Sequence, residues 1–87
     1  MSDDQNSLPV DLLVVDDDAE YRGTVVRRLT RRGYQIQEAG DGETALQLLQ
    51  RRQFDIALLD MVMPGMSGVD LAEQLKQIQP ECEVVLL

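Results

Sequence analysis

The 87-residue sequence contains no apolar run that approaches the roughly 18 to 20 residues required by a membrane-spanning helix. It has one cysteine, Cys82, so an internal disulfide is impossible, which agrees with a reducing compartment. Residues 1–8 are polar and acidic and have no basic region before an apolar stretch, so we expect no secretory signal there. These absences favour a cytoplasmic protein that does not associate with membranes.

Basic residues are also scarce: 8 Lys and Arg stand against 16 Asp and Glu, for a formal net charge of -8. Nucleic-acid affinity depends on clustered cations that release counterions from phosphates, so direct nucleic-acid binding by this segment is not expected. The arginines cluster in two segments, and we interpret both as helix C-termini, where the macrodipole favours cations. They are Arg22, Arg27, Arg28, Arg31 and Arg32 in the first segment, and Arg51 and Arg52 in the second.

Short apolar segments recur along the chain and predict β-strands. Apolar residues make up 44% of the sequence against 28% charged, which is typical of a globular domain. Segments rich in Val, Ile and Leu predict strands at 10–15, 34–38, 55–59 and 83–87. The runs LLVV and IALL are continuously apolar, as in central parallel strands covered on both faces. The segment YQIQE alternates and therefore suits a sheet edge.

Amphipathic segments with helical spacing separate the predicted strands. Gly33 and Pro80 are expected to end the first and third helices, and Ser67 to begin the third. The resulting βαβαβαβ order predicts an α/β fold with a doubly wound parallel sheet over residues 10–87, after a disordered leader at 1–9. The apolar residues of the three helices are Tyr21, Val25 and Leu29; Ala45, Leu46 and Leu49; and Leu71, Leu75 and Ile78.

Acidic residues follow the first and third predicted strands: Asp16, Asp17 and Asp18 follow one, and Asp60 the other. Ligands of doubly wound sheets bind beyond the carboxyl ends of the strands, so we expect these carboxylates to converge. Carboxylates without basic partners repel one another unless a hard cation such as Mg²⁺ neutralises them. A local role for each residue remains open, with Asp17 or Asp18 capping a helix, Asp16 solvated and Asp60 satisfying a turn.

Three motifs together resemble the receiver domain of two-component response regulators. They are LLVVDDD at 12–18, GDGETAL at 40–46 and LLDMVMPGMSG at 58–68. Pro64 and Gly68, four and eight residues after Asp60, match loop-shaping positions of the family. The resemblance implies a flavodoxin-like fold with strand order 2-1-3-4-5. It also implies phosphoryl transfer from a histidine kinase and a timed switch acting on an effector, rather than a turnover enzyme.

The same resemblance assigns roles to individual residues. Asp60 matches the phosphoacceptor, which also contacts the cation. Asp17 matches the residue that binds Mg²⁺ or Mn²⁺ directly, Asp16 matches one that acts through water, and the backbone carbonyl of Val62 matches the third protein ligand. The Val62 side chain occupies a position that influences hydrolysis of the phosphorylated form. Because valine cannot orient water, we expect slow self-dephosphorylation.

Parts of the family pattern are absent from this sequence. The family has a Ser or Thr after the fourth strand and a Lys after the fifth, whereas the only lysine here, Lys76, lies in the third predicted helix. We therefore expect a receiver truncated after the fourth strand, without the fifth strand and the last two helices. Its apolar edge should promote self-association. An effector is expected C-terminal to this segment.

Two other functions remain in competition. Phosphatases of the haloacid-dehalogenase type also place Asp-x-Asp after an apolar strand, as Asp16 and Asp18 would, but that alternative gives no role to Asp60 with Pro64 and Gly68. The second alternative is a receiver-like interaction module that is never phosphorylated. The intact acidic set argues against it, although the missing Lys leaves it open.

Overall fold

The computed structural model describes residues 9–87, and within them the predicted alternation of strands and helices is present. Each predicted strand is confirmed to within one residue at either end. Residues 1–8 of the predicted leader lie outside the described residues. The elements are β1 (Asp11–Val15), α1 (Ala19–Arg31), β2 (Gln35–Ala39), α2 (Gly42–Arg51), β3 (Ile56–Leu59), α3 (Gly68–Ile78) and β4 (Glu83–Leu86).

The four strands form one parallel sheet in the order β2-β1-β3-β4, which confirms the predicted doubly wound arrangement. Right-handed crossovers in this order place α1 on one face and both α2 and α3 on the other. β1 is central, and Leu12, Leu13, Val14 and Val15 are at most 3% exposed. β2 lies at an edge, as its alternating sequence predicts.

The hydrophobic core lies between the sheet and the pair α2 and α3. Ala57 and Leu59 of β3 point into it and are fully buried, together with Leu71 and Leu75 of α3. The opposite face of β3 is less protected, because Ile56 and Leu58 are only half-buried. The prediction that β3 is covered on both faces is therefore wrong for the described residues. The cause is the position of α1, which lies over β1 and β2.

The apolar side of α1 borders an open groove. None of its residues is fully buried, and Tyr21 is 52% exposed although it belongs to the predicted apolar stripe with Val25 and Leu29. These residues, together with Leu58 and Leu87, line a groove of about 350 Å³. The helix is thus amphipathic as predicted, but its apolar side is incompletely covered by residues 9–87.

Gly33, Ser67 and several arginines lie at helix ends. Gly33 follows α1 with a φ of 99°, and Ser67 caps α3 by accepting a hydrogen bond from the Asp70 amide, as predicted. Arg28 lies in the last turn of α1 and Arg51 in the last turn of α2, but Arg22 does not share that location. It lies one turn after the start of α1, so its assignment to a helix C-terminus is wrong.

Among residues 9–87, no helix is long and apolar enough to cross a membrane.

Candidate metal centre

The carboxyl ends of β1 and β3 lie side by side. Val15 pairs with Leu59, and the Asp60 amide then donates a hydrogen bond to the Val15 carbonyl at 2.9 Å. This register brings Asp16, Asp17 and Asp60 together, with one carboxylate oxygen of each within 4.8 Å of the others. The pairing of β1 with β3 therefore brings three carboxylates together at the edge of the sheet where doubly wound folds bind ligands.

Asp18, the last of the three consecutive aspartates, has a different role. Its Oδ1 accepts hydrogen bonds from the amides of Glu20 and Tyr21, both at 3.1 Å, so it is the N-cap of α1. The alternative in which a residue of this run caps a helix is realised by Asp18, which lies outside the carboxylate cluster. Asp17 stays exposed and within that cluster. Cap and candidate ligand are thus adjacent residues.

The pKa of the Asp16 carboxyl is raised by its surroundings. Partial burial raises the pKa of its carboxyl, and the carboxylates of Asp60, Asp17 and Asp18 raise it further, against one hydrogen bond from the Asp18 amide that lowers it. The carboxylates of this cluster therefore repel one another. Carboxylate oxygens are hard ligands of the type preferred by Mg²⁺, Mn²⁺ and Ca²⁺, so this donor set fits a divalent cation of that class.

The loop after β3 folds back tightly on Asp60. The Asp60 carboxylate accepts a hydrogen bond from the Val62 amide at 3.2 Å, which restrains the rotation of this side chain. The Val62 side chain itself is 80% exposed, whereas Met63 is buried in the core and anchors the loop. The loop thus holds the Asp60 carboxylate at the surface and leaves the apolar Val62 side chain in solvent beside it.

Glycines close the same loop. Gly65, after Pro64, has a φ of 78°, which is the conformation that a turn with Pro-Gly at its centre requires. Gly68 donates its amide to the Met61 carbonyl at 3.1 Å, and a Cβ at Gly68 would overlap the backbone carbonyl of Asp60. Pro64 and Gly68 therefore lie in the segment that returns the chain from Asp60 to α3.

Arg22 is a residue near the cluster that the sequence interpretation missed. Its guanidinium donates from Nη1 to the backbone carbonyl of Asp16 at 2.6 Å and from Nε to the Glu38 carboxylate at 2.8 Å. The positively charged guanidinium of Arg22 therefore lies close to the acidic residues, although it contacts the backbone of Asp16 rather than a carboxylate of the cluster. The available signal was its position four residues after Asp18, one turn into a helix that starts at the sheet edge.

Comparison with protein families gives a match over nearly the whole described chain. The family described as response regulator receiver domain matches residues 12–87. The probable transcriptional regulatory protein TcrX of Mycobacterium tuberculosis is 38% identical over 79 residues, which are 91% of this chain and 34% of TcrX. The chain therefore spans about a third of the length of such curated relatives.

Solved structures of response regulators also superpose on this chain. A response regulator from Burkholderia pseudomallei, solved with a phosphorylated aspartic acid, a calcium ion and citrate, superposes with a TM-score of 0.84 at 31% identity, over 88% of this chain and 45% of that one. The regulator TrrA of Thermotoga maritima, solved with Mg²⁺-BeF, superposes with a TM-score of 0.83 at 32% identity, over 88% of this chain and 67% of that one. TrrA has also been solved in complex with the histidine kinase ThkA, with a TM-score of 0.82, 32% identity and coverage of 88% and 66%.

Proposed function

This chain belongs to the response regulator receiver family, and from that premise we propose that Asp60 accepts a phosphoryl group from the phosphohistidine of a histidine kinase. The observation that carries the proposal is the convergence of Asp16, Asp17 and Asp60, whose carboxylate oxygens lie within 4.8 Å of one another. The family match leaves the haloacid-dehalogenase and pure interaction-module alternatives without support.

The reaction is a transfer between two nucleophiles at one phosphorus atom. A carboxylate oxygen of Asp60 forms a new bond to phosphorus while the bond from phosphorus to the imidazole nitrogen of the donor breaks. The imidazole leaves with the electron pair of that bond, and Asp60 becomes an acyl phosphate. The hydrogen bond from the Val62 amide orients the carboxylate for this attack, so that positioning carries much of the catalysis.

The residues around Asp60 fit a divalent cation, which we infer to be Mg²⁺ or Mn²⁺. Asp17, Asp60 and the backbone carbonyl of Val62 would hold it directly, and Asp16 would act through water. When bound, the cation neutralises charge on the phosphoryl oxygens. The Ca²⁺ and Mg²⁺ in the structures of related regulators support a divalent ion of this class. Pro64 and Gly68 maintain the shape of the loop that presents Asp60.

The partners follow from the same family assignment. The complex of TrrA with ThkA supports a histidine kinase as phosphodonor. Because this chain spans about a third of relatives such as TcrX, we infer that an effector lies outside the matched region. The net charge of -8 argues against nucleic-acid contacts by this segment. We also infer a cytoplasmic location for the protein. The apolar Val62 side chain supports slow loss of the phosphoryl group.

Beryllofluoride, a non-covalent analogue of the phosphoryl group, tests this proposal when added with Mg²⁺. Amide shifts of residues near Asp60, followed by NMR, should change in the wild type and should not change in Asp60→Asn. Asp70→Asn is the matched control, because it removes the same charge from the exposed first turn of α3. Equal shifts in Asp60→Asn and the wild type would contradict Asp60 as the phosphoacceptor.

A further inference from the structure

Arg22 links the end of β1 to the edge strand β2 beneath the carboxylate cluster. Its Nη1 donates to the Asp16 carbonyl at 2.6 Å, while its Nε donates to the Glu38 carboxylate at 2.8 Å. The Arg22 side chain is 19% exposed, so most of it is held within the structure. Because a guanidinium is planar and its donors have fixed directions, two simultaneous hydrogen bonds define its orientation closely.

The carbonyl that Arg22 holds belongs to the peptide unit joining Asp16 to Asp17. Fixing that oxygen fixes the plane of the peptide, and therefore the direction in which Asp17 leaves the strand. The other side of Asp16 is also restrained, because its amide donates to the Ala39 carbonyl at 3.1 Å. We propose that Arg22 is a positioning residue that sets the orientation of the Asp16 and Asp17 carboxylates for binding a divalent cation. This inference rests on the proposed function of the cluster.

Simple charge compensation by Arg22 would have a different signature. The guanidinium contacts a backbone carbonyl and pairs with Glu38, so its charge is already matched by a carboxylate outside the cluster. If Arg22 acted only through its charge, removing it would make the cluster more negative and would strengthen cation binding. A positioning role predicts the opposite sign, since the ligands become less ordered. The direction of the change in affinity thus separates the two roles.

Gly40 provides a second way to disturb the same contact. A Cβ at Gly40 would lie 3.1 Å from Nη1 of Arg22, so the guanidinium passes against a position where a methyl group is crowded. The φ of Gly40 is not positive, so alanine introduces no backbone strain there. Gly40→Ala therefore requires the guanidinium to shift by a few tenths of an ångström, while it keeps every charge in the protein.

The test is the dissociation constant of Mg²⁺, measured by NMR titration of the unphosphorylated chain. We expect Arg22→Met to weaken binding roughly tenfold, a typical effect of removing an outer-shell partner of a metal ligand. Arg22→Lys should also weaken it, because an ammonium keeps the charge but cannot form the same planar bridge. Gly40→Ala should weaken it by a smaller factor. Arg27→Met should bind at least as tightly as the wild type, because it removes the same charge from a residue of α1 whose guanidinium, within residues 9–87, bonds only to Thr24.

Each outcome has a defined meaning. If folded Arg22→Met binds Mg²⁺ as tightly as the wild type, or more tightly, the positioning role is overturned and the proposed function is left intact. If Arg22→Met does not fold, Gly40→Ala decides, and unchanged affinity in that variant overturns the role. Failure of the wild type itself to bind Mg²⁺ contradicts the proposed function as well. Urea unfolding of each variant shows which of them retain the fold.

Discussion

Gly68 lies directly against Asp60: a side chain at the first residue of α3 would overlap the backbone carbonyl of the proposed phosphoacceptor. The Gly68 amide also donates to the carbonyl of Met61, so the start of α3 is bonded to the residue after Asp60. The helix therefore acts as a support for the strand end that carries the carboxylate. The spacing of eight residues between Asp60 and Gly68 thus has a steric basis.

Gly68→Ala should destabilise the protein by about 1 to 3 kcal/mol, because a methyl group in closely packed space forces the backbone to move. Gly23→Ala is the matched control within α1, where the added Cβ would lie 3.3 Å from the flexible end of Arg27. That change should stabilise the protein by about 0.5 to 1 kcal/mol, because alanine favours a helix interior over glycine. Urea unfolding measures both free energies. If Gly68→Ala leaves the free energy of unfolding unchanged or raises it, Gly68 does not lie directly against the Asp60 carbonyl.

Asp17 and Asp18 should separate into a ligand and a cap when each is replaced by alanine. Asp18→Ala removes the acceptor of two amide hydrogen bonds and should cost about 1 kcal/mol of unfolding free energy, with little change in Mg²⁺ affinity. Asp17→Ala should weaken Mg²⁺ binding strongly while the metal-free stability is retained. Calorimetric Mg²⁺ titration and urea unfolding of the two variants provide the comparison. Equal losses of affinity would mean that both carboxylates bind the cation.

The N-cap of α2 predicts a pH dependence of stability. Hydrogen bonds from the Thr44 amide and then the Thr44 hydroxyl lower the pKa of Asp41 below 3.8. A group whose pKa is lower in the folded state stabilises that state above its unfolded pKa, and this contribution disappears as the pH falls through the folded value. The stability of the wild type relative to Asp41→Asn should therefore decrease on acidification below pH 3.8.

Asparagine is a suitable comparison at Asp41, because it also caps helices but does not titrate in this range. Ser67→Ala is the control at another cap, that of α3, and its stability difference from the wild type should not follow the titration of a cap carboxylate. Urea unfolding across the acid range measures these differences. A stability difference for Asp41→Asn that stays constant, or increases, as the pH falls would contradict the prediction.

The edge strand β4 predicts self-association of the 87-residue polypeptide. Among residues 9–87, β4 has no strand on its outer side, and Val85 and Leu86 are 41% and 40% exposed. Apolar sheet edges pair with other chains, whereas lysine at an edge opposes pairing. Val85→Lys should therefore lower the mass measured by light scattering, while Gln35→Lys on the polar edge strand β2 should not. A mass of one chain for the wild type in dilute solution is incompatible with this expectation.

The sequence could predict the sheet and the convergence of the acidic residues, because both depend on local patterns. Continuous apolar runs such as LLVV define buried strands, and parallel strands bring Asp16 and Asp60 to one edge whatever their detailed packing. The division between Asp17 and Asp18 could not be predicted. Either residue can cap a helix, and the outcome depends on where the first turn of α1 begins.

The role of Arg22 could not be predicted either, because its bridge joins Asp16, the residue after β1, to Glu38 of β2, and these two residues are distant in sequence. Charge and position suggested a helix end, whereas the contact depends on the side-chain conformation over Gly40. The half-exposed face of Leu58 has a similar origin. Its apolar sequence context indicates a buried strand, but its exposure is determined by where α1 lies on the sheet.

The most direct test of the account is the intact mass of the chain after incubation with acetyl phosphate and Mg²⁺. The wild type should gain the mass of one phosphoryl group, and fragmentation should place that group on Asp60. Asp60→Asn should gain none, and the wild type should gain none when the divalent cation is removed by a chelator. Phosphorylation of Asp60→Asn to the same extent as the wild type, or attachment of the group to another residue, would contradict the account.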